Sequence, residues 1–135
     1  QILEVIGSLR VAAYAAGAIV LQNARAVDRV WQVAQDGEPG TLGDHRAIAD
    51  LEIAQSQHLV FGLVLDAATR LFDALGASST LVPLGLDRFW RNLRTLATHN
   101  PRIYKTRIAG DFAVNGRAAP DQWTIGVAPA ALKAA

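Results

Sequence analysis

The sequence predicts an all-α protein, an antiparallel up-and-down helical bundle. Three observations predict it. Apolar residues recur every three or four positions along two long stretches, and period-two alternation is absent. Of 135 residues, 51% are hydrophobic and 19% charged, which suits one domain with a buried core and excludes intrinsic disorder. Glycine and proline gather between the periodic stretches, where they read as short connections.

The first helix is expected from Ile2 to about Ala34. Ile2, Ile6, Leu9, Ala13, Ala16, Val20, Ala24, Val27 and Trp31 track one face. At 1.5 Å per residue it would run roughly 50 Å. Gly7 and Gly17, set among alanines, suggest a thin face for close helix packing. The apolar run Val11 to Leu21 is about half a bilayer span, so no membrane partner is expected. The stretch from Asp36 to Asp44 reads as a loop, with Asp44 as the N-cap of a second helix. That helix carries Ile48, Leu51, Gln55, Leu59, Gly62, Leu65 and Phe72 near one face, with Val60, Val64, Ala67, Leu71 and Leu75 beside them. So wide an apolar arc belongs inside a bundle.

Gly76 to Thr80 is a small-residue break. A third helix follows from about Leu86 to Thr98, burying Leu86, Phe89, Trp90, Leu93, Leu96 and Ala97. Asn100-Pro101 is a boundary, with Asn100 as N-cap and Pro101 at the first helical position of a fourth helix. Tyr104, Ile108 and Phe112 share a side of that helix, and Asn115-Gly116 ends it. Residues 1–116 thus form the bundle, and 117–135 an extended tail.

The polar residues exclude several chemistries. No cysteine is present, so there is no disulfide framework and no thiol nucleophile. No histidines pair at i,i+3 or i,i+4, which leaves no metal site. Phosphate-binding glycine loops are absent, and Ser78 and Ser79 lack a nucleophile elbow. The net charge of +1 gives no general pull toward nucleic acid. Arg88, Arg91, Arg94, Arg102, Lys105 and Arg107 make the last two helices basic, but they read as a solvated face with internal pairs such as Asp87–Arg91. Of His45, His58 and His99, only His99 falls at a corner between helices, where an imidazole can project and transfer a proton near neutral pH.

The segment Leu86-Asp87-Arg88-Phe89-Trp90-Arg91-Asn92-Leu93-Arg94-Thr95 resembles a motif in the C-terminal helical domain of the acyl-CoA dehydrogenase superfamily. Leu75-Gly76-Ala77-Ser78 falls where that family has a Gly-Gly turn beside its flavin. Where common dehydrogenases carry Tyr-Glu-Gly, with the glutamate as base, this chain has His99-Asn100-Pro101. Asparagine has no lone pair basic enough to take a proton at neutral pH. The run Thr98 to Lys105 is similar to the flavin-dependent monooxygenase branch, dibenzothiophene monooxygenases and sulfur-acquisition relatives above all.

That resemblance implies several things. Reduced FMN, supplied by a separate flavin reductase, would react with dioxygen to give a flavin C4a-(hydro)peroxide that oxidises an organosulfur or aromatic substrate. His99 would be the catalytic residue that steadies this species. Gly76, Ala77 and Ser78 would approach flavin phosphate or ribityl oxygens. Ala77 replaces the family's second glycine, so FMN fits better than FAD. The parent protein would be a cytoplasmic homo-oligomer, a tetramer. This chain would be its C-terminal piece, lacking the first bundle helix and inactive alone. The alternatives are an acyl-CoA dehydrogenase or oxidase with a relocated base, and a non-enzymatic basic bundle.

Overall fold

In a computed structural model, residues 1–37 and 39–120 are described. Four α-helices form in order: α1 (Ile2–Asp36), α2 (Pro39–Leu75), α3 (Asp87–His99) and α4 (Arg102–Asn115). Two 3-10 turns, Ala77–Thr80 and Val82–Leu84, join α2 to α3. The described residues contain no strand. The all-α class and the antiparallel bundle are as expected.

α2 is the spine. One side packs on α1 and the other on α3 and α4. The pairing with α1 is antiparallel: Val27, Val30 and Ala34 share a groove with Leu42, Ala49 and Ile53, and Ile19 shares one with Gln55 and Leu59. Gln22 Nε2 donates to Glu52 Oε2 at 3.3 Å, and Asn23 Nδ2 to Ser56 Oγ at 2.6 Å. Arg29 forms an ion pair with Glu52 at 2.6 Å. On the other side Trp90 Nε1 donates to Thr69 Oγ1 at 3.2 Å. Further along, Arg94 and Ala97 of α3 and Ile103 and Thr106 of α4 line one cleft with His58. Lys105 feels the Asp50 carboxylate. The contacts descend α2 from Thr69 through His58 to Asp50. So α3 and α4 follow one another along α2, both against its direction.

The buried core is small-residue: Ala16, Ala26, Ala49, Leu51, Ala54 and Ala97. Alanines at the crossings let the helix axes approach closely, because helix spacing depends on the side chains at the contact.

Several expectations are corrected. The loop of residues 36–44 shrinks to a turn at Gly37, whose φ of 73° is the left-handed conformation glycine adopts without strain. α2 already begins at Pro39, so Asp44 lies inside a helix and caps nothing. Proline is well suited to a first helical turn. Leu42 then shares a groove with Val27, Val30 and Ala34, a packing gain that offsets the cost of Gly40 and Gly43 in a helix. Second, the inward stripe of α1 is rotated. Its less exposed residues include Ala12, Ala15, Ala16, Ile19, Asn23, Ala26, Val30 and Val33. Val20, Val27 and Trp31 of the expected face are exposed at 54%, 53% and 61%. α1 is apolar on several sides, so the hydrogen bonds of Gln22 and Asn23 decide which side meets α2.

Third, nothing packs closely on Gly7 or Gly17: a Cβ on either would meet open space within the chain. Fourth, Asn100 does not cap α4. Pro101 takes that position, with φ −60° and ψ 126°, while Asn100 holds φ −123° and ψ 88° as the residue before a proline. In addition, much of the expected buried side of α3 stays accessible, with Phe89, Leu96 and Trp90 all among the exposed hydrophobic residues.

The end of α4 is as expected: Gly116 is left-handed and its N–H donates to the Phe112 carbonyl at 2.9 Å. Residues 117–120 have no regular structure, and Arg117 pairs with Asp111 at 3.7 Å. The rest of the expected tail, 121–135, lies outside the described residues.

Candidate functional site

His99 is the last residue of α3 and is exposed. α3 cannot run on, because proline at 101 keeps Asn100 out of helical geometry. The imidazole therefore stands at a corner, at the C-terminal end of α3. No hydrogen bond or ion pair engages it among the described residues. Both ring nitrogens are open to a ligand.

The Gly76 turn lies at the other end of α3. Gly76 has φ 74° and ψ 178°, a conformation essentially confined to glycine. It breaks the chain out of α2, with its N–H donating to the Phe72 carbonyl at 3.0 Å. Ser79 closes the turn from inside: its hydroxyl donates to the Gly76 carbonyl at 2.6 Å, and the residue is buried. Gly76, Ala77 and Ser78 are exposed, and a Cβ on Gly76 would meet nothing. The Ser78 side chain has no hydrogen-bond partner among the described residues. The turn and His99 share no pocket in this chain. They are separated by the 13 residues of α3, roughly 20 Å of helix.

The basic residues divide. Arg91 pairs with Asp87 at 3.1 Å, and Arg70 with Asp66 at 3.9 Å, both i,i+4 as expected. Arg88 lies 5.0 Å over the Phe89 ring. Lys105 does not belong to a solvated face. It is 7% exposed, turned inward between α4 and α2. Burial pushes its ammonium below the ordinary lysine value, and the Asp50 carboxylate acts in the opposite direction. Asp50 also meets Arg46 at 3.9 Å.

A lowered folded-state pKa means that the native protein holds fewer protons than the unfolded chain between that pKa and the usual lysine value. Stability should therefore rise with pH across that window. Urea titrations at stepped pH should show the rise, and Lys105→Met should lose it. An identical slope in both proteins would refute the assignment.

Sequence reasoning missed one feature, a cleft where α2, α3 and α4 meet. His58, Arg94, Ala97, Thr98, Pro101 and Arg102 are among the residues that line it. In the sequence His58 falls mid-helix, away from any corner, and the arginines read as a solvated face. No spacing along one helix could have united them, because they come from three.

Comparison with known proteins decides the family. The family described as "Acyl-CoA dehydrogenase, C-terminal domain" matches residues 4–101. The chain belongs to this family. A dibenzothiophene monooxygenase of Mycolicibacterium goodii is 32% identical over 94 residues, which is 70% of this chain and 23% of that protein. A probable FMNH2-dependent monooxygenase of Pseudomonas putida, SfnC, is 34% identical over 100 residues, 73% of this chain and 24% of the relative. The solved structure of methanesulfinate monooxygenase MsuC from Pseudomonas fluorescens superposes with a TM-score of 0.79 at 32% identity. It covers 90% of this chain and 30% of that one. The chain thus spans about a quarter of the length of the curated relatives it matches.

The family match also bears on α1. By length and composition α1 could cross a membrane, although its longest purely apolar run is short. The acyl-CoA dehydrogenase C-terminal domain match runs along α1 from residue 4, so α1 is a helix of that helical domain.

Proposed function

We propose that this chain is the C-terminal helical part of a flavin-dependent monooxygenase that oxidises an organosulfur compound. The observation that carries the reading is the His99-Asn100-Pro101 corner: an exposed, unengaged imidazole beside an amide, in a family match that ends at residue 101. The related proteins named as monooxygenases support it. A dehydrogenase base would have to abstract a carbon-bound proton, and Asn100 cannot.

The residues present fit a flavin. Gly76 and Ala77 carry no bulk that would keep a ligand from the backbone, and the Ser78 hydroxyl is available. We assign the cofactor as reduced FMN delivered by a flavin reductase. When bound, it supplies the activation of dioxygen for transfer of one oxygen atom to sulfur. This chain contributes the rest. His99 would donate a hydrogen bond through a ring N–H, or pass that proton, toward the bound flavin. Gly76, Ala77 and Ser78 would hold its polar tail.

Because the turn and His99 stand at opposite ends of α3, each meets a different part of a flavin or a different flavin. A homo-oligomer, with a tetramer as the family expectation, would let the exposed apolar side of α1 find cover. That side includes Val20, Val27 and Trp31, already seen to be exposed. A cytoplasmic location, shared with the reductase, is part of the same proposal.

The test uses the intact parent protein with a flavin reductase, FMN, oxygen and dibenzothiophene or methanesulfinate. Oxygenated product is the expected result. Acyl-CoA oxidation with an electron acceptor, and no sulfur product, would instead establish the dehydrogenase alternative.

A further inference from the structure

The cleft between α2, α3 and α4 is open to solvent and has a volume of about 440 Å³, room for one small ligand. Its walls carry two guanidinium groups, Arg94 and Arg102, and the His58 imidazole, and no carboxylate. Outside the cleft, Arg29, Arg46, Arg70, Arg91 and Arg117 each pair with an acid, whereas Arg10, Arg25, Arg88 and Arg107 have no ion pair among the described residues. Among the described residues Arg94 and Arg102 have no such partner. Two unneutralised cations lining one concavity repel each other, and an anion between them offsets that cost.

Arg102 reaches across to α2. One of its terminal guanidinium nitrogens lies 3.6 Å from where a Cβ on Gly62 would stand. That is ordinary van der Waals distance, so the guanidinium lies beside Gly62 with room for a methyl group, and only the further carbons of a larger side chain would crowd it. The threonines narrow the ligand chemistry. Thr98 Oγ1 donates to the Arg94 and Thr95 carbonyls at 2.9 and 3.1 Å, and Thr106 Oγ1 to the Ile103 carbonyl at 2.9 Å. With their protons committed, the donors left for a ligand are the arginine forks and the histidine. Such a set recognises a group that only accepts, and guanidinium matches oxyanions in particular. Ala97, Pro101 and Ile103 add an apolar floor.

We propose that this cleft binds a small oxyanion of phosphorus or sulfur, held between Arg94 and Arg102. The site flanks the His99 corner through Thr98 and Pro101 but does not depend on the flavin reading, and its test contains no flavin.

Calorimetry of the intact protein with inorganic phosphate, at constant ionic strength, reads the binding. One saturable site is expected. Arg94→Gln and Arg102→Gln should each weaken it by about tenfold or more, the usual effect of losing a charge-assisted hydrogen bond. Gly62→Val should also weaken it by displacing Arg102 with every charge retained, while Arg88→Gln should bind as the wild type does. Circular dichroism checks that each variant is folded. Competition then identifies the source: displacement by methyl phosphate indicates a phosphate ester, and by methanesulfonate a sulfur oxoacid. The proposal is overturned by a response that merely tracks ionic strength, by equal loss in Arg88→Gln, by wild-type binding in both cleft arginine variants, or by displacement with neither competitor.

Discussion

His99→Ala in the intact protein is expected to lower the sulfur product formed per reduced FMN by about 100-fold or more, while oxygen still consumes the flavin. That is the lower end of what a positioned proton donor contributes. The missing product should reappear as hydrogen peroxide. The fold gives this prediction a clean reading. His99 is exposed, ends its helix and engages no other described group. Its removal should shift stability by no more than about 0.5 kcal/mol, as at ordinary surface positions. Loss of yield would then be chemical. His99→Gln separates two roles: it retains an N–H donor but cannot pass a proton at neutral pH, so partial recovery would indicate hydrogen bonding and no recovery proton transfer. Unchanged product yield in His99→Ala would remove the assignment.

The second large effect concerns the α1–α2 seam. Ala26 is 0% exposed, the most completely buried core residue described. Ala26→Leu places a branched side chain where two helices meet over alanine. Overpacking of this kind costs about 1–3 kcal/mol, which lowers Tm by roughly 4 °C per kcal/mol in a domain near this size. Ala24→Leu is the control. Ala24 is exposed, and the same added volume there should change stability by less than about 0.5 kcal/mol. Thermal unfolding of the two variants decides between the two stripes of α1. Equal losses would mean that the helix does not sit on α2 in the rotation described.

Much of the fold was legible. The 3.6-residue period found the helices, and Asn115-Gly116 found the end of the last one. The break at Gly76 was legible because its φ and ψ suit glycine alone. The Asp36–Asp44 segment misled because Gly40 and Gly43 signal a loop locally, while the packing of Leu42 on α1 outweighs their cost. Lys105 misled for a similar reason. Lysine is seldom buried unless paired, and its partner Asp50 lies on a different helix, 55 positions earlier by number. The His99 corner was legible because Asn100-Pro101 must interrupt a helix wherever it falls. The cleft of His58, Arg94 and Arg102 was not, since it exists only where three helices converge.

The sequence by itself determined that the chain is helical, where most of its helices break, and that His99 and Asn100 stand side by side at one of those breaks. These are properties of neighbouring residues, set by backbone sterics and side-chain chemistry. Only the tertiary structure decided which side of α1 faces α2, which cation turns inward, and which arginines share a cavity. A helix apolar on several sides has no preferred rotation of its own. The choice falls to distant partners, Glu52 and Ser56 for α1 and Asp50 for Lys105, whose approach depends on how the helices cross.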